Sequence, residues 1–196
     1  LLEHVLSLAH LARLTAAHYR EVDLDLLLTG VVIHDIGKIH ELSYERSFSY
    51  STEGQLLGHI IIALRMIDEK LRNLPDFPPR LRMLVEHLII SHHGELAYGS
   101  PKTPMFLEAL LLHHLDNLDS KMESMRNHVK KDKSAAGEWT AFLPSLERTV
   151  LKKDKFLDPQ PEAEIPVQLA KPVSQATGKP KESASPFADK LKQALF

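Results

Sequence analysis

The chain has 196 residues, 43% hydrophobic and 26% charged, with a formal charge of −2. These values suit one globular domain with extra segments and give no overall basic pull toward nucleic acid or an anionic membrane. The absence of cysteine excludes disulfides and thiolate metal ligation and suits a reducing, cytoplasmic setting; no signal peptide and no apolar run of membrane-spanning length are visible.

Residues 1–20 carry apolar side chains at 1, 5, 8, 9 and 12, a helical period. The chain opens inside this amphipathic pattern without a starting Met, which reads as a fragment with upstream domains outside it. Asp23 is placed to cap a second helix over LDLLLTGVVIHDI. That segment is apolar nearly all round and is expected at the centre, with Gly37 as its stop. A polar loop, HELSYERSFSY, follows.

Thr52 to Gln55 has capping-box spacing and opens a third helix through QLLGHIIIALRMIDEKLRNL. Pro75, Pro78 and Pro79 interrupt the chain, and Pro79 suits the first turn of a fourth helix, RLRMLVEHLIISHH. Gly94 and Gly99-Ser100-Pro101 form a loop, and Thr103-Pro104 predicts the start of a fifth helix running to about Lys133. Trp139, Phe142, Leu146 and Val150 are expected to pack as a short helix on the body. The expected fold is therefore an all-α bundle of five or more helices, with a domain over 1–157. Residues 158–184 read as a Pro-, Ala-, Ser-, Lys- and Glu-rich linker, and 185–196 as a short amphipathic helix in a disordered or loosely docked tail.

The chain carries 12 histidines, the commonest metal-ligand residue type. His34-Asp35 sits at the end of the apolar second helix, where burying both groups is tolerable if they coordinate a cation. An isolated His-Asp pair would read as a helix-end hydrogen bond, but this pair is not isolated. His4 lies on an amphipathic face; His18 points the same way but lies about 21 Å along the helix, and His10 faces elsewhere. His59 follows Gly58, a small neighbour that would let another helix approach, and alone would read as a core histidine. His92 and His93 diverge by about 100° on a helix. His92 is assigned to metal and His93 to the substrate side, while His87 reads as structural. Asp116 lies on an apolar face and needs a cation or several hydrogen bonds; a bond to His113 is the alternative, and Asp119 reads as a surface carboxylate.

The order His4, His34-Asp35, His59, His92-His93, Asp116 resembles the HD-domain superfamily of metal-dependent phosphohydrolases. Four of these residues match members binding one metal, and His59 and His92 match the subgroup binding two. Leu1–His4, His34–Lys38, Thr52–His59, Ser91–Gly94 with Tyr98–Pro101, and Asp116–Asp119 with Lys121 are similar to bacterial 3′-to-5′ exoribonucleases that join an N-terminal OB-fold to an HD domain. The likeness covers about residues 1–157. It departs in the OB-fold, which this chain lacks, and in the tail, which has no recognised counterpart. The Gly-Tyr-Pro signature of the cyclic-dinucleotide branch is absent.

The resemblance implies one metal on His4, His34, Asp35 and Asp116 and a second on Asp35, His59 and His92, with Asp35 bridging. It also implies Lys38 neutralising phosphate charge and His93 contacting the phosphate or protonating the leaving oxygen. Imidazole and carboxylate ligands favour Mn first, with Fe, Co or Ni as alternatives. The expected activity is 3′-to-5′ hydrolysis of single-stranded RNA or DNA. A small-nucleotide phosphohydrolase and a non-catalytic metal-stabilised interaction module are the alternatives. No membrane partner is expected, and oligomeric state is open.

Overall fold

The second helix organises the bundle in the computed structural model, which describes residues 1–43, 49–132 and 137–158. In chain order the helices are α1 (Leu2–Ala16), α2 (Leu24–Ile33), α3 (Lys38–Glu41), α4 (Thr52–Leu71), α5 (Pro79–Ser91), α6 (Leu107–Lys131) and α7 (Lys153–Leu157). Asp23 caps α2 by accepting from the N–H groups of Asp25 and Leu26, as its position before the apolar run predicts. From that start α2 packs on α1, α5 and α6. Leu27 and Val31 join Leu8, Ala12, Leu88, Ala109, Leu112 and Leu115 in the main core. A second cluster, Ile60, Ala63 and Ile89, packs with Ile33 and Ile36 beside it. The end of α2 therefore contributes to both apolar groups. No helix among the described residues is long and apolar enough to cross a membrane.

Several expected boundaries move. The helix α2 ends at Ile33, and Gly37 caps the start of α3 instead of stopping α2. The segment expected to be a polar loop thus begins as a helical turn, followed by a two-stranded antiparallel pair in which Leu42 opposes Tyr50 and Ser43 opposes Ser49. The start of α6 lies at Leu107, not at Thr103-Pro104. Side chains hold residues 100–105 against α5: Ser100 Oγ donates to Ile90 O at 2.9 Å, and the Met105 N–H donates to His87 Nε2 at 3.1 Å.

Gly58 does not admit a neighbouring helix. Its φ of 69° and ψ of 161° kink α4, a conformation open to glycine and strained for other residues. The close approach lies at Gly54, where a Cβ would meet the backbone of Glu41.

Residues 139–150 do not form the expected short helix. Trp139 pairs with Leu151 and Leu143 with Arg148 across a hairpin. Pro144 opens a 3-10 turn through Leu146, and Glu147 ends it in the left-handed region; Pro144 has no N–H to continue a helix. Leu143 and Val150 are buried, whereas Trp139 and Phe142 are exposed. The linker and terminal-helix expectations lie outside the described residues beyond 158.

The cap of α4 is Ser51, not Thr52. Ser51 Oγ accepts from Gly54 N at 2.9 Å and donates to His40 O at 2.7 Å, joining α4 to α3. Ser51→Ala is expected to lower the unfolding free energy by about 1 kcal/mol, and Thr52→Ala by under about 0.5 kcal/mol. Urea unfolding of the two variants checks the order.

Candidate metal centre

The turn after α2 carries His34 and Asp35 into the interior, where they are 0% and 3% exposed, opposite His92 at 1%. His34 follows the last residue of α2 with helical φ/ψ, and its Nδ1–H donates to Val31 O at 3.0 Å. His92 repeats the arrangement after α5, donating from Nδ1 to Ile89 O at 2.7 Å. In each ring the remaining nitrogen, Nε2, therefore turns inward as a bare acceptor. Asp35 lies between them, with Oδ2 at 3.5 Å from His34 Nε2 and Oδ1 at 3.8 Å from His92 Nε2.

Two further helices close the group. On α4, His59 is held by Glu41, whose Oε1 accepts from the His59 backbone N–H at 3.0 Å and from Nδ1 at 3.2 Å. This leaves His59 Nε2 at 3.6 Å from Asp35 Oδ1. On α1, His4 Nδ1 lies 2.8 Å from Asp119 Oδ2, and its Nε2 lies 3.0 Å from Asp116 Oδ1. His93 donates from Nδ1 to Tyr98 O at 2.9 Å and sets its Nε2 at 3.2 Å from His59 Nε2. With both Nδ1 atoms acting as donors, two lone pairs face one another there. A proton or a cation between them removes the repulsion.

The electrostatics match. Burial alone would raise the Asp35 carboxyl, but the charges of His34 and Lys38 and the Lys38 hydrogen bond hold it down at about 2. Burial pushes His92 down to about 3, aided by the charges of His34 and His93, and also lowers His34. Burial likewise lowers His93. Around neutral pH Asp35 is therefore a carboxylate facing the neutral imidazoles of His34 and His92. The hydrogen bond to Asp116 raises His4, whose two nitrogens both face carboxylates. Burial would raise Asp116, but the His4 bond together with the charges of His34 and His92 lowers it.

The candidate ligands His4, His34, Asp35, His59, His92 and Asp116 meet around this point with Lys38 and His93, but in a grouping of their own. His4, His34 and Asp35 can offer one ligand atom each to a single ion, and so can His59, His92 and His93. His93 thus stands beside His92, where the sequence reading separates them. Asp116 bonds to His4, not to His113. Lys38 Nζ bonds Asp35 Oδ2 at 2.6 Å.

Three contributors are not evident in the sequence reading. Glu41 holds His59. Asp119, which also accepts from Ser7 Oγ at 2.6 Å, holds His4. His113 donates from Nδ1 to His92 O at 2.9 Å. Asp119 has a readable signal, since it lies three residues from Asp116 on the same helical face. Glu41, in a segment without periodicity, has none.

A helical bundle that brings histidines and carboxylates from five helices to one buried point is a metal-site scaffold. The chain belongs to the HD-domain family, whose family model matches residues 1–121. It is 42% identical over 153 residues to the 3'-5' exoribonuclease YhaM of Bacillus subtilis, a match covering 78% of this chain and 48% of the relative. The proteins of the same name from Bacillus velezensis and Bacillus pumilus are 41% and 40% identical over the same shares. The chain thus spans about half the length of the curated relatives it matches. No solved structure matches it.

The family implies a divalent metal, and the residues present fit one. Among the described residues, the buried side-chain atoms without a hydrogen-bond partner are His34 Nε2, Asp35 Oδ1 and His92 Nε2. Leaving such atoms unsatisfied is costly, and all three are atoms that ligate cations.

Gly94 sets the back of this arrangement. Its φ is +81°, and a Cβ there would meet the His113 ring, which supports His92 through its carbonyl. Gly94→Ala is expected to cost at least about 1–3 kcal/mol from backbone strain, with the clash in addition. Chemical denaturation in the presence of chelator measures the loss apart from any metal effect.

Proposed function

We propose that this chain is a metal-dependent phosphodiesterase that removes nucleotides from the 3′ end of single-stranded RNA or DNA. The single observation carrying the hydrolase reading is the convergence of partnerless His34 Nε2, Asp35 Oδ1 and His92 Nε2 in one buried centre. The names of the relatives support the substrate class and direction.

In this reading His4, His34, Asp35 and Asp116 hold one divalent cation and Asp35, His59 and His92 a second. Asp35 would serve both, a role supported by its two oxygens facing different histidines. When bound, the cations supply Lewis-acid assistance at the phosphoryl group, the help that in-line phosphoester hydrolysis requires. The carbonyl and carboxylate partners of the histidines keep the Nε2 atoms aimed and exclude the other tautomer. Lys38, on Asp35 at one side and 36% exposed at the other, can compensate phosphate charge. His93 either joins His59 and His92 or meets the leaving oxygen. The metal stoichiometry of His93→Ala distinguishes these roles. The donor set lacks thiolate, and Mn is our first choice, ahead of Fe, Co or Ni.

A small-nucleotide phosphohydrolase is the second reading, favoured by the formal charge of −2. Assay of a labelled oligoribonucleotide against a panel of mononucleotides in Mn separates the two. Cleavage of mononucleotides alone overturns the exonuclease reading.

Two variants test the centre itself. Asp35→Asn keeps the shape of the side chain and is expected to lower hydrolysis by at least about 10³-fold. Mn at a hundred times its dissociation constant should stabilise the unmodified chain by about 2.7 kcal/mol and leave Asp35→Asn unmoved. Undiminished hydrolysis by that variant removes this mechanism. Glu41→Ala frees the His59 ring and is expected to weaken metal binding about 10- to 100-fold, read by metal titration under calorimetry.

A further inference from the structure

A cleft of about 620 Å³ opens from the metal centre and runs along α6 toward the hairpin of residues 143–148. One end is His92, His93 and Asp116; the other is Lys121 and Arg148, with Tyr98 also on the lining. The α6 wall is a polar strip made by Asp116 with Ser120 and Asn117 with Lys121, pairs four residues apart that share a helix face. The opposite wall lies beyond the residues matched by the family model. It is fastened to α6 by Ser124 Oγ with Ser145 Oγ at 3.0 Å and by His128 Nε2 donating to Ala141 O at 2.8 Å.

Arg65, Arg72, Arg82 and Arg126 each pair with a carboxylate. No such pair engages Lys121 or Arg148 among the described residues. Arg148 Nε donates to Leu146 O at 2.8 Å, fixing the base of the guanidinium in the turn. Its remaining donors suit an anionic oxygen. Lys121 lies five residues beyond Asp116, about 7.5 Å along the axis. A phosphate held at that end fits a second phosphate of the same molecule, next to the one at the metal donors. Tyr98, 64% exposed, offers a flat aromatic face beside His93. Glu147, also on the lining, is an acceptor for a sugar hydroxyl and would oppose a bare anion.

We propose that this cleft holds the nucleotide adjoining the one being cleaved, with Lys121 and Arg148 on its phosphate and Tyr98 stacked on a base. The site thereby selects oligonucleotides over mononucleotides. The inference rests on the phosphodiesterase reading, and it makes the hairpin of residues 143–148 the strand-binding wall.

The test is equilibrium binding of a fluorescently labelled pentanucleotide to the whole chain by anisotropy, with the metal chelated and the salt concentration varied. Lys121→Gln with Arg148→Gln is expected to weaken binding about tenfold at low salt. The salt slope should fall by about 0.7, the value for one single-strand phosphate that the protein no longer neutralises. Both side chains are exposed, and a thermal melt matching the unmodified chain shows that the fold is kept. Arg20→Ala, on an exposed turn elsewhere, should behave as the unmodified chain. In Mn, the double variant should also lose oligonucleotide kcat/KM relative to that for bis(p-nitrophenyl) phosphate. Equal affinity, slope and ratio overturn the cleft while leaving the phosphodiesterase reading intact. Binding that depends on Lys121 and Arg148 without cleavage of either substrate overturns the enzyme instead and leaves a strand-binding groove.

Discussion

Asp35 is an ionised carboxylate almost wholly withdrawn from water, and the surrounding structure is arranged to hold that charge. Removing a carboxylate from solvent costs several kcal/mol unless charges and donors replace the lost hydration. Lys38 satisfies Oδ2, but Oδ1 faces histidine nitrogens that have already committed their protons elsewhere. An apolar core would reject this group; a divalent cation makes it favourable. The all-round apolar α2 is thus explained together with its charged end. It must be buried to carry His34 and Asp35 inward, and burial is what leaves their outer atoms without water.

The same logic orders the histidines. In His34, His59, His92 and His93, Nδ1 is engaged by a backbone carbonyl or by Glu41, and Nε2 is left for the centre. Each ring therefore has one tautomer and one direction without needing a metal to impose them. For His34 and His92 the acceptor is the carbonyl three residues earlier, a group freed by the end of the helix itself. The position of each histidine just past a helix end is in that sense the device that orients it. His4 differs, since both its nitrogens face carboxylates and Asp119 takes the outer one. At a histidine of that kind a cation competes with the proton that the two carboxylates favour.

The residues that converge at the buried centre are legible in the sequence, while much of their support is hidden there. His34-Asp35 stands out because a charged pair ends an apolar helix, and Asp116 because it interrupts an apolar face. Both are local conflicts between patterning and polarity. Glu41 and His113 create no such conflict, and only the tertiary arrangement reveals what they hold. Local rules also misplace the cap of α4, where the serine one residue before the capping-box threonine reaches Gly54 N. The hairpin after residue 137 reads wrongly as a helix because Trp139, Phe142, Leu146 and Val150 fit a helical period. Pro144 and the left-handed Glu147 override that period.

The two parts of the site obey different physical demands. The histidines and carboxylates of the buried centre come from helices packed in the core, where small displacements would misalign them, and glycines at close contacts permit no variation in side-chain volume. The far wall of the cleft is a hairpin tied to α6 by a few side-chain bonds and by the Lys152 to Asp132 ion pair at 2.5 Å. In the proposed reading the chemistry is built into the bundle, and choice of substrate falls to the attached wall. The net charge of −2 is no obstacle to holding a polyanion under this division. Paired arginines elsewhere contribute little field at the cleft, whereas two cations without carboxylate partners, beside buried imidazoles, act over distances shorter than the screening length of about 8–10 Å.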